Sequence, residues 1–144
     1  MGILSSAPIQ GYLKGKSMKK TIEAVMVPNV HTIGSEITLG KAEEMMRQFH
    51  IRHLPVLSGG KVVGVVTDRD LKLLSRFPGY HEFRVEEAMT PDPYVVSPDT
   101  SFTDVAEVMA ERKIGCVIVT DHNRVVGIFT AVDAMRLMAA AYRT

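Results

Sequence analysis

The sequence predicts an α/β (α+β) fold made of two β-α-β-β-α units related by pseudo-twofold symmetry. Two observations carry this. The chain repeats itself at an offset of 63 residues, and within each copy the apolar spacing alternates between strand and helix periods. Aligned without a gap, residues 19–74 match residues 82–137 at 13 of 56 positions. The identities include Met26/Met89, Pro28/Pro91, Gly64/Gly127, Thr67/Thr130 and Asp70/Asp133.

Each copy reads the same way in order. Val/Ile/Thr-rich segments at 30–33 and 94–97 predict a first strand. Apolar residues at helical spacing follow, Leu39, Ala42, Met45, Met46 and Phe49 in the first copy. Phe102, Val105, Ala106, Met109 and Ala110 stand in the second. Ser35, and Asp99 or Thr100, are the expected N-caps of these helices. Strands at 54–57 and 116–120 then turn through Ser58-Gly59-Gly60-Lys61 or Asp121-His122-Asn123-Arg124 into strands at 62–66 and 125–129, two hairpins. A second helix leaves each hairpin, 69–76 or 132–142.

A unit of about 60 residues makes a marginal core, so the two copies are expected to pack sheet to sheet as one body. The expected boundaries are an N-terminal tail at 1–17, disordered or tag-derived, a first repeat at 18–77, a connector at 78–84 and a second repeat at 85–144. Pro78 and Gly79 make that connector a turn. With 144 residues, 46% hydrophobic and 23% charged, the chain has the composition of an ordinary globular protein. A net charge of +1 provides no global field for nucleic acid or an anionic membrane. No apolar run approaches the ~18 residues of a membrane span, and Lys14, Lys16, Lys19 and Lys20 break any signal-peptide layout. A single cysteine, Cys116, fits a reducing compartment, so a cytoplasmic location is expected.

The sharpest repeated element is Gly64-Val65-Val66-Thr67-Asp68-Arg69-Asp70, echoed by Gly127-Ile128-Phe129-Thr130-Ala131-Val132-Asp133. Thr and Asp stand three apart where a strand becomes a helix. That geometry suits a ligand: hydroxyl and free N–H groups meet a phosphate, the carboxylate accepts from a ribose diol, and Arg69 adds a guanidinium fork. It equally suits a capping box, Thr as N-cap and Asp reaching back from the third position. The motif alone fits both.

Context adds to it. The chain resembles a tandem pair of CBS (cystathionine-beta-synthase) domains, a Bateman module, over about residues 20–140. The resemblance rests on Val25-Met26-Val27-Pro28 and Ala88-Met89-Thr90-Pro91, and on Ile51-Arg52-His53-Leu54-Pro55-Val56 and Ile114-Gly115-Cys116-Val117-Ile118-Val119. Each copy closes on the Gly-x-x-Thr-x-x-Asp element. The resemblance implies two symmetry-related clefts for adenosine-containing ligands. One would use Thr67, Arg69 and Asp70 with Pro93, Tyr94, Gly115 and Cys116. The other would use Thr130 and Asp133 with Val30, His31, Arg52, His53 and Pro55. The second motif has Val132 in place of Arg69, so its cleft lacks a cation on its own loop, and Arg52 and His53 are expected to supply one from across.

The remaining features read more plainly. His50 and His53 straddle a helix end with no Cys or carboxylate cluster to complete a metal site. Cys116 fits a small strand residue, and most of the nine Met residues fit core positions. The apolar run 135–142 exceeds what one helix face needs, and a homodimer interface is expected there. No nucleophile–base–orienter set, nucleophile elbow or P-loop is present, so no catalysis is expected. The expected function is a stand-alone regulatory module for AMP, ADP, ATP, NAD(H) or S-adenosylmethionine, with no cofactor beyond that ligand, signalling to a regulated protein by a change of shape. The alternative is a nucleotide-free scaffold whose Thr/Asp pairs only cap helices.

Overall fold

The computed structural model of the chain describes residues 20–143, and the expected tail at 1–17 lies outside them. The first half runs β1 (Val27–Pro28), β2 (Ile33–Gly34), α1 (Leu39–Phe49), β3 (His53–Ser58), β4 (Lys61–Thr67) and α2 (Asp68–Leu74). The second half runs α3 (Val85–Ala88), β5 (Thr90–Pro91), β6 (Val95–Val96), α4 (Phe102–Arg112), β7 (Cys116–Asp121), β8 (Arg124–Thr130) and α5 (Ala131–Ala141). Short 3-10 turns cover Ile22–Ala24 and Tyr80–Glu82. No helix among the described residues is long and apolar enough to cross a membrane.

Local chemistry accounts for most of these elements. The two hairpins, β3/β4 and β7/β8, are antiparallel, with register shifts at Val56/Leu57 and Val119/Thr120, one repeat apart. Each turn puts two residues in the left-handed region, Gly59 and Gly60 (φ 58° and 80°) in one and His122 and Asn123 (φ 52° and 66°) in the other. That pair of positive φ values matches the twist of the flanking strands. Helix α1 ends at His50 in the left-handed conformation, and the Ile51 N–H returns to the Met46 carbonyl at 3.1 Å. The N-caps are Thr38 and Ser101, not Ser35 and Asp99 or Thr100. Ser35 is already committed: its N–H donates to the Leu57 carbonyl and its own carbonyl accepts from Glu86 N–H. Thr100 gives its carbonyl to the Ile22 N–H, and Asp99 takes the Ser97 hydroxyl at 2.6 Å. The first strands shrink to two residues each.

The sheets are composite. Their orders are β2-β3-β4-β5 and β1-β8-β7-β6, so the segment leading into each repeat closes the sheet of the other. Thr90 pairs with Val65 and Val27 with Ile128. The cores follow the same exchange: Val85 is fully buried with Leu39, Leu54, Val56 and Val66, while Ile22 is fully buried with Val105, Val117, Val119 and Phe129. Matching hydrogen bonds clamp both exchanges, Leu39 N–H to Phe83 carbonyl at 2.7 Å and Phe102 N–H to Lys20 carbonyl at 2.9 Å. Gly64 and Gly127 permit the crossing. A Cβ on Gly64 would stand 2.8 Å from the Thr90 carbonyl oxygen, and one on Gly127 would collide with the Met26 sulfur.

Candidate functional site

Strands β4 and β8 each deliver a threonine to the start of a helix, and both capping boxes form. Asp70 Oδ2 accepts from the Thr67 N–H at 2.8 Å and from its hydroxyl at 3.0 Å, while Thr67 Oγ1 accepts from the Asp70 N–H at 3.2 Å. Asp133 and Thr130 repeat this at 2.9, 3.0 and 3.3 Å. In both boxes the cap uses only Oδ2. The other oxygen of Asp133 meets Arg136 Nη1 at 3.6 Å, with the carboxylate 16% exposed. Capping therefore leaves one carboxylate oxygen outside each box, so the same residue can serve the helix and a ligand.

Thr130 and Asp133 stand on a cavity of about 470 Å³, within the ~300–1,000 Å³ range of small-molecule sites. Val30, His31, Arg52 and His53, four of the first-repeat residues assigned to this cleft, line it. Composite sheets make this possible, because β1 of the first repeat lies beside β8, which ends at Thr130. Pro55 does not line the cavity. It is fully buried within β3 opposite Val65, past the strand mouth where His53 pairs with Thr67. His31 lies flat on Phe49, ring centroids 3.7 Å apart and planes 11° from parallel, so its other face is presented outward. Val27, Pro28, Asn29, His50, Ile51, Ile128, Val132 and Arg136 complete the lining.

Arg136 is a cavity-lining residue that sequence reasoning missed. It lines the cavity and supplies from the cleft's own helix the cation that its loop lacks. The i, i+3 spacing from Asp133 was the available signal.

The residues assigned to the other cleft sit at symmetry-equivalent places. Cys116 pairs with Thr130 across β7/β8, the Gly115 carbonyl accepts from the Ala131 N–H at 2.9 Å, and the Tyr94 carbonyl accepts from the Ile118 N–H. Pro93 is half-buried and Arg69 exposed. The Tyr94 ring carries the Arg112 guanidinium 5.7 Å from its centroid, where the first repeat has Phe49 on His31. Among the described residues no hydrogen bond or ion pair joins Thr67, Arg69 or Asp70 to Pro93, Tyr94, Gly115 or Cys116.

Two groups have shifted acidities. Burial pushes the His53 imidazole below its usual 6.5; the Asp68, Asp133 and Asp70 carboxylates oppose this and Arg52 reinforces it. Burial, with Asp133 adding to it, pushes the Cys116 thiol up to about 12, which removes it as a nucleophile.

Comparison with known proteins agrees with this fold. A family model described as CBS domain matches twice, at residues 22–75 and 85–140. An inosine-5'-monophosphate dehydrogenase of Korarchaeum cryptofilum is 32% identical over 115 residues, 79% of this chain, which spans only 23% of that relative. The CBS domain-containing protein YhcV of Bacillus subtilis is 28% identical over 114 residues, 78% of this chain and 81% of YhcV. Among solved structures, the CBS domain pair of protein MJ0100, in complex with 5-methylthioadenosine and S-adenosyl-L-methionine, superposes with a TM-score of 0.75 at 28% identity. The match covers 85% of this chain and 98% of that one. CBSX2 in complex with AMP gives 0.71 at 26% identity, covering 86% and 99%.

Proposed function

We propose that this chain, which belongs to the CBS domain family and carries two of its domains, is a regulatory module that binds an adenosine-containing ligand and signals by a change of shape. One observation carries the reading: Asp133 and Thr130 of the second repeat meet His31, Arg52 and His53 of the first on one cavity, with a carboxylate oxygen unused by the cap beside the Arg136 guanidinium. Relatives of similar fold hold AMP or S-adenosyl-L-methionine, which supports an adenosine ligand here. In this reading Asp133 accepts from the ribose hydroxyls, Thr130 and the start of α5 meet the phosphate end, and the 27–31 strand edge reads the base. The second cleft uses Thr67, Arg69 and Asp70 in the same way. The module works in the cytoplasm and performs no catalysis.

The complete capping boxes favour a second reading, a scaffold with empty clefts. Mass spectrometry of small molecules released from purified protein, followed by titration of the stripped protein, separates the two. A released adenosine compound that rebinds supports the sensor; no binding at millimolar concentration leaves the scaffold.

We further propose a homodimer through α5. This helix buries none of its residues within the chain, and Val132, Met135 and Met138 are 52%, 65% and 38% exposed. The repeat itself supplies the control. Where the first copy has Arg47, Asp68, Lys72 and Ser75, the second has Ala110, Ala131, Met135 and Met138. The same fold carries both faces, so their difference reflects what covers each one. Light scattering should give about twice 15.9 kDa for the native chain, and Met135→Glu with Met138→Glu should halve it. A native monomer at high concentration overturns the interface.

A further inference from the structure

The cavity described above has a charge pattern that selects among adenosine compounds. Arg52, Arg136 and His53 line it together with a single carboxylate, Asp133, which Arg136 meets at 3.6 Å. The repeat-equivalent positions of Arg52 and His53 are Gly115 and Cys116, which carry no charge. A sulfonium ligand would bring a positive charge to two guanidinium groups, and an uncharged thioadenosine would gain nothing from them. A phosphate dianion would meet both cations and, at His53, an imidazole able to become a third.

We propose that His53 sets the specificity of this cleft for adenosine ligands bearing a terminal phosphate, taking up a proton as such a ligand binds, so that one of the two clefts is proton-linked and the other is not. The proposal rests on the nucleotide reading above and adds the ligand class and its coupling to pH.

The surroundings of His53 make the coupling physical. It pairs with Thr67 across β3/β4 and stands near Asp68 and Asp70 of α2, Asp133 of α5 and Arg52 of its own segment. Lys72 partly neutralises Asp68, at 3.7 Å, and Asp70 is engaged by its own helix cap. Burial outweighs the carboxylates and holds the ring neutral in the empty cleft at neutral pH. A dianion placed in the cavity favours the imidazolium, so the ring's pKa rises on binding. The sign follows: between the lower empty-cleft value and the higher bound value, affinity strengthens as pH falls, by at most about tenfold per pH unit for one full proton. Cys116, with its thiol near 12, offers no such group to the other cleft. His31 and His50 share the cavity with His53. The test therefore removes His53 alone.

Calorimetric titration of stripped protein with AMP, adenosine and S-adenosylmethionine is the experiment, at about pH 8 and about pH 6.8, both above the phosphate's own second ionisation near 6. Each is run in two buffers of different ionisation enthalpy. The expected result is an AMP affinity about three- to tenfold tighter at the lower pH, with buffer-dependent heat showing proton uptake, while adenosine affinity stays level and S-adenosylmethionine binds more weakly than AMP. His53→Gln, its fold certified by a cooperative melt, should bind AMP without the pH dependence. Arg136→Gln should weaken AMP at both pH values and keep the dependence. AMP binding with no proton uptake, or an undiminished pH dependence in His53→Gln, overturns the proposal while the nucleotide reading stands. If neither AMP nor adenosine binds at all, the nucleotide reading fails first and takes this proposal with it.

Discussion

Saturating AMP is expected to raise the melting temperature of the stripped protein by about 5–13 °C. A ligand that binds only the folded state stabilises it by about 2.7 kcal/mol at one hundred times its dissociation constant. For a chain of 144 residues each kcal/mol corresponds to roughly 2–5 °C. A guanine nucleotide at equal concentration should shift the melt far less. The variant Asp70→Ala/Asp133→Ala supplies the internal control. It loses the Asp half of two capping boxes while the Thr67 and Thr130 N-caps stay, and so melts somewhat lower without ligand. Its AMP shift should vanish, because the carboxylate oxygens that the capping boxes leave unused are gone. A shift that survives in the double variant would place the ligand elsewhere, and a native protein that no adenosine compound shifts would leave the scaffold reading.

Phe129→Ala should destabilise the fold by about 3–5 kcal/mol, a large share of the ~5–15 kcal/mol available to a domain. Phe129 is the largest fully buried side chain, and its ring meets Phe102 edge-on with centroids 5.6 Å apart. It packs among Ile22, Val105, Val117 and Val119, so its loss opens a cavity bounded by both parts of the chain that build the second sheet. Urea unfolding measures the effect, and a loss under about 1 kcal/mol would show that the site collapses around the gap. Because Thr130 follows directly, the variant should also weaken the AMP shift.

Much of the fold is legible in the residues because the signals are local. Leu39, Ala42 and Met46 at helical spacing mark α1, and all three are buried on its inner face. Gly59-Gly60 and His122-Asn123 mark the hairpin turns because positive φ at two successive residues restricts what can stand there. Thr67 with Asp70, and Thr130 with Asp133, mark the helix starts. Less of the site is legible. His31, Arg52, His53, Thr130 and Asp133 come together as expected, whereas Pro55 is buried away from them. Strand alternation puts Pro55 on the same face as His53 but cannot say how deep along that face the other repeat covers it.

The sequence by itself determined that there are two copies, which elements each contains, that Thr67 and Thr130 cap the helix after each hairpin, and which side chains carry charge near those two caps. Each of these depends on contacts within one helical turn, one strand or one hairpin. Only the tertiary structure decided that β1 closes the second sheet and β5 the first, and that Ser35 is spent on that crossing instead of a cap. Strands of two residues carry no periodicity to read, and Val27 meets Ile128 across a hundred residues of chain. That pairing is chosen by burial: Ile22 and Val85 reach zero exposure only in the core of the opposite repeat, and Gly64 and Gly127 leave space for the strands that follow them there. The cavity that joins Asp133 to His53 is a consequence of that exchange.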